Sequence, residues 1–199
     1  MEITRKIRNI IEENKNDYVL QENGTLLLNP GRIPKCRHMI FKGLTTGVLH
    51  EYLIAEYRDA FPDELSAFLT QYNGCNLYWV KLHTNDGMSF AQSLLSVYGL
   101  PMTSPHSRPK NQDEPFDIRV EDLGRHDNIS THWLKLGSYI RDYDFDYTTE
   151  LFFDTKGKKV FACHKNEDRI VDCWESLDEC LCNLVDFFSG ASLEYEVNL

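Results

Sequence analysis

The chain has 199 residues, 42% of them hydrophobic, which is enough to form one folded domain with its own core. Its formal net charge of −10, from 21 basic and 31 acidic residues, disfavours a nucleic-acid partner, because such binding depends on basic residues that neutralise phosphates. The same acidity suits a basic protein partner, and it is equally consistent with a role in solubility alone.

The N-terminus and the distribution of apolar residues predict a cytoplasmic protein. Residues 1–7 (MEITRKI) lack the apolar core of a secretory signal peptide. No stretch approaches the roughly 20 apolar residues that a membrane-spanning helix requires. In the cytoplasm we expect the six cysteines to be reduced thiols.

The first sixty residues predict two helices separated by a hairpin. The apolar residues of the first helix recur at helical spacing and share one face: Ile3, Ile7, Ile10 and Ile11. Two short apolar runs, 18–20 and 25–28, then flank Asn23-Gly24, a pair typical of a hairpin turn. Prolines at 30 and 34 indicate a loop, and residues 45–59 predict the second helix.

The segment from Phe61 to Gly74 predicts a short helix with both of its ends marked. Pro62 suits the first turn, and the acidic pair that follows it is favourable at the positive end of the helix dipole. We expect Gly74 to adopt the left-handed conformation that ends such a helix.

The rest of the chain predicts strands and a terminal helix. Strands are expected at 76–82, 94–97, 116–120, 133–140, 150–154, 159–164 and 170–174, with a long proline-rich loop over 101–115. Ser176 and Glu179 have the spacing of a capping box, which opens a helix that continues to Gly190. The pattern predicts a single α+β domain: a mainly antiparallel central sheet of about six strands, flanked by N-terminal helices and a C-terminal helix. Within residues 1–199 we expect a helical extension over about 1–29, a core over about 30–190 and a short tail over 191–199.

A group of potential zinc ligands occurs late in the chain: Cys163, His164, Cys173, Cys180 and Cys182. Cys180 and Cys182 lie two positions apart on the predicted terminal helix and therefore point about 200° apart around its axis. They cannot chelate one ion together, and the other spacings lack the paired ligands of zinc sites. No zinc site is predicted.

A calcium loop is also excluded. Asp142, Asp144 and Asp146 match the opening of an EF-hand loop, but Tyr147 stands where a glycine is needed and Phe153 where a bidentate glutamate is needed. The chain also lacks the common nucleophile, phosphate-binding and dinucleotide-binding motifs. We therefore expect no metal, no other cofactor and no catalytic activity. An uncharacterised enzyme remains a minor alternative, because the absence of known motifs is only weak evidence against catalysis.

An ordered set of motifs resembles the SUKH superfamily over about residues 30–190. It comprises the Phe-Pro-Asp-Glu-Leu to Tyr-Asn-Gly segment at 61–74, Tyr-Gly at 98–99, Pro-Phe-Asp-Ile at 115–118, Trp-Leu-Lys-Leu-Gly-Ser at 133–138, Leu-Phe-Phe-Asp at 151–154 with its hairpin to Val160, and a Phe-Phe terminal helix. The resemblance implies a non-catalytic α+β domain. It also implies that the shared residues shape the fold: Pro62, Asn73, Gly74 and Trp79.

Many bacterial members of this superfamily are immunity proteins that bind and neutralise a polymorphic toxin, often a nuclease. Other relatives are eukaryotic regulators, including fungal interaction hubs of cell-wall synthesis. The resemblance therefore implies a cognate, basic toxin as the partner, with an intracellular scaffold or regulatory role as the alternative. It implies neither nucleic acid nor membrane as a partner.

Acidic residues are the candidates for contact with a basic toxin, because nucleases need basic surfaces to hold phosphate. The three aspartates of 142–146 alternate with aromatic residues and so share one face of a predicted strand or strand edge. A solvated face is the favoured explanation of this alternation, because runs of charged residues usually face solvent. The candidate contact residues are Asp142, Asp144, Asp146 and Glu150, with Asp113 and Glu114 in the proline-rich loop. That loop is either a second contact site or a tolerated insertion.

Overall fold

A computed structural model describes residues 1–31, 36–53, 61–83, 87–100, 119–120, 133–141, 148–164, 169–190 and 196–198. Within these residues there are four helices: α1 (Glu2–Glu13), α2 (Thr46–Tyr52), α3 (Asp63–Gln71) and α4 (Leu177–Gly190). There are eleven strands: β1 (Tyr18–Leu20), β2 (Leu26–Pro30), β3 (Cys36–Lys42), β4 (Tyr72–His83), β5 (Ser89–Val97), β6 (Arg119–Val120), β7 (Trp133–Tyr139), β8 (Thr149–Asp154), β9 (Val160–His164), β10 (Ile170–Trp174) and β11 (Glu196–Asn198).

All described strands join one sheet. Nine of them follow each other in the order β1-β2-β3-β4-β5-β7-β8-β9-β10, and every neighbouring pair on this path is antiparallel. β6 pairs with β7, and β11 runs parallel to β4. The class is α+β, but the prediction of about six strands is wrong.

The sheet is larger than predicted mainly because sequence reasoning missed β3 and excluded the N-terminal hairpin from the sheet. β3 follows the proline of a predicted loop, and basic residues interrupt its apolar run, so the sequence pattern predicts no element over residues 36–42. In the fold it is a central strand with β2 on one side and β4 on the other. Through β3 the predicted β1–β2 hairpin becomes one edge of the main sheet.

The main core lies between the helices and the sheet. α1 contributes the isoleucine stripe that its sequence predicted, with Ile3, Ile7 and Ile10 buried, and α4 contributes six buried side chains from Leu177 to Phe188. Two smaller apolar clusters lie on the other face, because they contain Leu27 of β2 and Phe152 of β8, whose chain neighbours point into the main core. None of the described helices has the length and apolar character needed to cross a membrane.

Two carboxylates from distant parts of the chain cap the helices. Glu64 of α3 accepts the first N–H groups of α4, from Leu177 at 3.1 Å and Asp178 at 2.9 Å. The Asp178 side chain in turn accepts the N–H groups of Glu2 at 3.0 Å and Ile3 at 2.9 Å, which open α1. Each carboxylate therefore lies at the positive end of a helix dipole and ties one helix to the next.

The predicted capping box of α4 forms only in part. Ser176 Oγ accepts the N–H of Glu179 at 3.0 Å, as expected from the spacing. The Glu179 carboxylate, however, accepts the N–H of Glu175 at 3.0 Å. The amide that a standard box would bind is that of Ser176, so the reciprocal half of the box is displaced by one residue.

Gly74 does not end α3, which corrects the sequence prediction. The helix ends at Gln71, and the chain enters β4 directly at Tyr72 in an extended conformation. Gly74 lies within β4 with φ +89°, and a Cβ at this position would lie 2.6 Å from the carbonyl oxygen of Val97. Glycine is therefore needed for the close approach of β4 to β5.

Candidate protein-binding surface

Most of the predicted acidic contact residues lie outside the described part of the chain: Asp113, Glu114, Asp142, Asp144 and Asp146. Glu150 is described. Its carboxylate accepts a hydrogen bond from Lys135 Nζ at 2.5 Å across β8 and β7, and both side chains are 18% exposed. The charge of Glu150 is thus largely balanced within the sheet, and it contributes little to an acidic surface.

The four predicted structural residues lie at the start of α3 and along β4. Pro62 is the N-cap of α3, and Asn73 and Gly74 follow α3 at the start of β4. The Asn73 side chain is fully buried; its Nδ2 donates to Leu100 O at 2.5 Å, and its Oδ1 accepts from Leu100 N at 2.8 Å. Trp79 is half-buried, and its Nε1 is buried without a hydrogen-bond partner in the described residues.

Within the residues that the structure describes, Trp79 borders a gap between the two strands that pair with one edge of β4. β5 pairs with one edge of β4 from Cys75 to His83, so β3 and β11 share the other edge. β3 pairs with β4 only up to Asn76, and β11 begins at Lys81. Side chains of β3 fill the interval: Arg37 Nη1 donates to Trp79 O at 2.7 Å, and Tyr78 N donates to His38 Nδ1 at 3.3 Å.

Tyr78 has an unusual backbone at this gap. Its φ of +57° lies in the left-handed region, which bulky side chains rarely adopt. Leu77 and Tyr78 are consecutive residues of β4, yet both belong to the main core, as do Leu94 and Leu95 of β5. Strict alternation would place one member of each pair on the opposite face, so both strands change face here.

A pocket of about 320 Å³ opens beside Tyr78, between the C-terminal ends of α1 and α4. Its lining combines apolar, aromatic and polar groups: Ile10, Glu13, Asn29, Arg37, His38, Tyr78, Phe188 and Ser189. The Tyr78 hydroxyl donates to Val185 O at 3.2 Å, which attaches the ring to α4. Sequence reasoning missed this pocket because its residues come from five elements and form no motif.

Burial moves the pKa values of the two titratable rings of this pocket away from neutral pH, so both rings are uncharged at pH 7. Burial, with a smaller contribution from Arg37, lowers the pKa of His38 to about 3. Burial also raises the pKa of Tyr78 to about 12. An efficient general acid or base has a pKa near the working pH, so these shifts favour a structural role for both rings at neutral pH.

His38 makes the stability of the protein sensitive to mild acid. The imidazole is neutral when folded and takes up a proton near pH 6.5 when unfolded, so its stabilising contribution is present above pH 6.5 and is lost as the pH falls toward 3. When the pH falls from 7 to 5, we expect protonation of this group in the unfolded chain to lower the free energy of unfolding by about 2 kcal/mol.

Urea unfolding of the native chain and of His38→Asn at both pH values measures this contribution. The asparagine keeps a hydrogen-bond acceptor near the Tyr78 amide but does not titrate. The variant should lose about 2 kcal/mol less than the native chain between pH 7 and pH 5. Equal losses in the two proteins would show that His38 accepts a proton in the folded state.

A second pocket, of about 460 Å³, lies at the N-terminal ends of α3 and α4. Glu64 lines it, but its carboxylate already caps α4. Lys158, Asp63 and Glu175 give the pocket walls of mixed charge. No three His, Cys, Asp or Glu side chains of the described residues are grouped to hold a metal ion.

The β1 edge, defined as Tyr18–Leu20 with the acidic residues on either side, is the most exposed apolar segment of the described sheet. Tyr18, Val19 and Leu20 are 52%, 46% and 61% exposed, although all three are apolar and consecutive. The acidic residues Glu12, Glu13, Asp17 and Glu22 flank them and are also exposed. An exposed apolar edge strand offers unpaired backbone groups to another chain, which makes this segment a candidate binding surface.

The opposite edge of the sheet, β10, has the features that protect an edge strand. Its pairing with β9 is irregular between Ile170 and Asp172. The Asp172 carboxylate accepts from Arg141 Nη2 and from the Tyr139 hydroxyl, each at 3.1 Å. An irregularity and an ion pair both discourage the addition of another strand, so the β10 edge has protective features that β1 lacks.

Comparison of the chain with protein-family models, with curated proteins and with solved structures finds no match in any of the three. The resemblance to the SUKH superfamily therefore remains a prediction from the sequence motifs.

Proposed function

We propose that this chain is a non-catalytic protein-binding domain whose partner is a basic protein. The observation that carries the proposal is the β1 edge, where three consecutive apolar residues are exposed between acidic flanks. Interaction sites combine an apolar centre with a charged rim, and the rim determines the rate and selectivity of encounter. The net charge of −10 extends the same preference over long range.

The SUKH resemblance makes a polymorphic toxin the proposed partner, and the charge of this chain suits a nuclease toxin. A nuclease presents a basic surface to its substrate, and an acidic protein that covers this surface neutralises the enzyme. A scaffold or regulatory protein with several non-toxin partners is the second candidate, because the same superfamily includes interaction hubs.

Affinity purification from the source cells at about 0.1 M and about 1 M salt tests the proposal, since the Debye length falls from about 10 Å to about 3 Å over this range. The proposal expects one dominant basic protein, identified by mass spectrometry, that is retained at low salt and lost at high salt. The purified pair should form a one-to-one complex, and co-production of this chain should restore growth to cells that make the partner.

The other outcomes separate the candidates. Several partners of moderate affinity, none of them toxic, would favour the scaffold function. A wild-type chain that retains no protein at low salt would contradict a binding function of either kind.

A further inference from the structure

The outer backbone groups of β1 are arranged to pair with another strand. Asn29 N donates to Asp17 O at 2.9 Å, and Gln21 N donates to Thr25 O at 2.9 Å, so residues 17 and 21 bond toward β2. Hydrogen-bonding direction alternates along an antiparallel strand, so Tyr18 and Leu20 direct their N–H and C=O groups away from β2. In the part of the chain that the structure describes, no strand pairs with β1 on that side.

The side chains of β1 do not protect this edge. Proteins usually protect an exposed edge strand by making it very short, or with a charged side chain, a proline or a bulge within the strand. β1 is short, at three residues. Tyr18–Leu20 contains no charged residue and no proline, and it pairs with β2 in regular register. The aromatic and aliphatic side chains can instead pack against those of an incoming strand.

Charge at the two ends of β1 selects the sequence of such a strand. Residues 12–22 carry four carboxylates and one amine, and Lys15 already pairs with Glu12 at 3.9 Å. Asp17 and Glu22 therefore remain as exposed acidic flanks on either side of the apolar segment. A segment with basic residues at its ends and apolar residues between them complements this pattern.

The same charges disfavour a second copy of this chain as the occupant. Pairing two β1 edges would bring the acidic flanks of one copy against those of the other. The overall charge of −10 on each copy would add further repulsion.

We propose that β1 accepts an extended basic segment of the partner as an additional strand of the sheet, an inference that rests on the proposed binding function. The backbone of Tyr18 and Leu20 supplies the ladder, the three exposed side chains supply apolar contact, and the acidic flanks select basic residues.

A pair of synthetic peptides tests the inference directly on the full chain. The first is a ten-residue peptide with two lysines at each end and alternating valine and threonine between them, and its control has glutamates in place of the four lysines. The lysine peptide should slow hydrogen exchange at the amides of Tyr18 and Leu20, and higher salt should weaken this effect. The glutamate peptide should have no effect. Unchanged exchange with the lysine peptide, or full protection of both amides in the free protein, would overturn the inference.

Two variants at one position separate strand addition from simple apolar contact. Leu20→Pro removes an outward N–H and leaves the β2 ladder intact, which edge strands tolerate. Leu20→Thr keeps that N–H and favours the strand, while it shortens the side chain. We expect Leu20→Pro to weaken lysine-peptide binding about tenfold and Leu20→Thr only about threefold. Equal weakening by both variants would contradict strand addition, and thermal melts establish that each variant is folded.

Failure of this inference can be told apart from failure of the proposed function. If wild-type chain and folded Leu20→Pro retain the same basic protein from cells with equal affinity, the binding function stands and the β1 assignment falls. If the wild-type chain retains no protein at low salt, the binding function itself falls.

Discussion

Gly74→Ala is expected to lower the free energy of unfolding by about 3 to 5 kcal/mol. The cost has two sources. The native φ of +89° is strained for any residue with a Cβ, and the added Cβ would lie 2.6 Å from Val97 O, a backbone atom that cannot rotate away. β4 and β5 would have to separate at the start of their longest shared ladder. Urea unfolding measured by circular dichroism gives the difference.

Gly47→Ala is the matched control for this change. Gly47 lies in α2, and nothing lies within 4 Å of a Cβ built at this position. Alanine is the better helix former, so the control should be more stable than the native chain by about 0.5 to 1 kcal/mol. A Gly74→Ala protein within about 1 kcal/mol of the native chain would show that β4 and β5 approach less closely at this point.

Asn73→Asp is expected to cost about 3 to 4 kcal/mol at pH 7, although the two side chains have nearly the same shape. The Asn73 amide pairs with both backbone groups of Leu100 and thereby takes the place of a neighbouring strand. An aspartate still accepts from Leu100 N, but it turns a second oxygen toward Leu100 O. It must then either carry a charge in a fully buried site or take up a proton.

The dependence on pH distinguishes this explanation from a loss of packing. Protonation restores a donor toward Leu100 O, so the pKa of the new carboxyl is raised in the folded protein. The deficit of Asn73→Asp should therefore be smallest below about pH 4 and should grow as the pH rises above it. Asn73→Ala removes both hydrogen bonds without adding a titratable group, so its deficit should be the same at pH 4 and pH 7. Parallel curves for the two variants would contradict the proposed geometry.

Several elements were predictable because their signals are local. The isoleucine stripe of α1, the Asn-Gly turn between β1 and β2, and the proline and acidic residues that start α3 each depend on residues within one or two turns of chain. The strands β4 and β7 to β10 also occur where the apolar runs placed them, and β5 contains its predicted run, 94–97, but begins at Ser89. In each case the residues that specify the element belong to it.

The wrong predictions concern positions whose conformation is determined by a distant neighbour. Gly74 has the spacing of a helix terminator, but its position is set by Val97 across the sheet. The residues of β3 predict no element by themselves, and they form a strand because β2 and β4 pair with both of its edges. Helix capping shows the same contrast. The Ser176 cap was visible in the sequence, whereas Glu64 and Asp178 cap helices more than a hundred residues away from them.

The candidate site, like the fold, was predictable from the sequence only in part. Composition alone indicates an acidic protein and a preference for a basic partner, because net charge is a sum over residues and does not depend on their arrangement. The sequence likewise determined that Tyr18–Leu20 is an apolar strand beside a turn. Only the tertiary structure decided that this strand lies at an edge of the described sheet, where no described strand pairs with its outer backbone groups, and that Tyr78 adopts a positive φ. Edges, gaps and pockets depend on which strands become neighbours, and that choice is made by burial of the whole core and not by any local pattern.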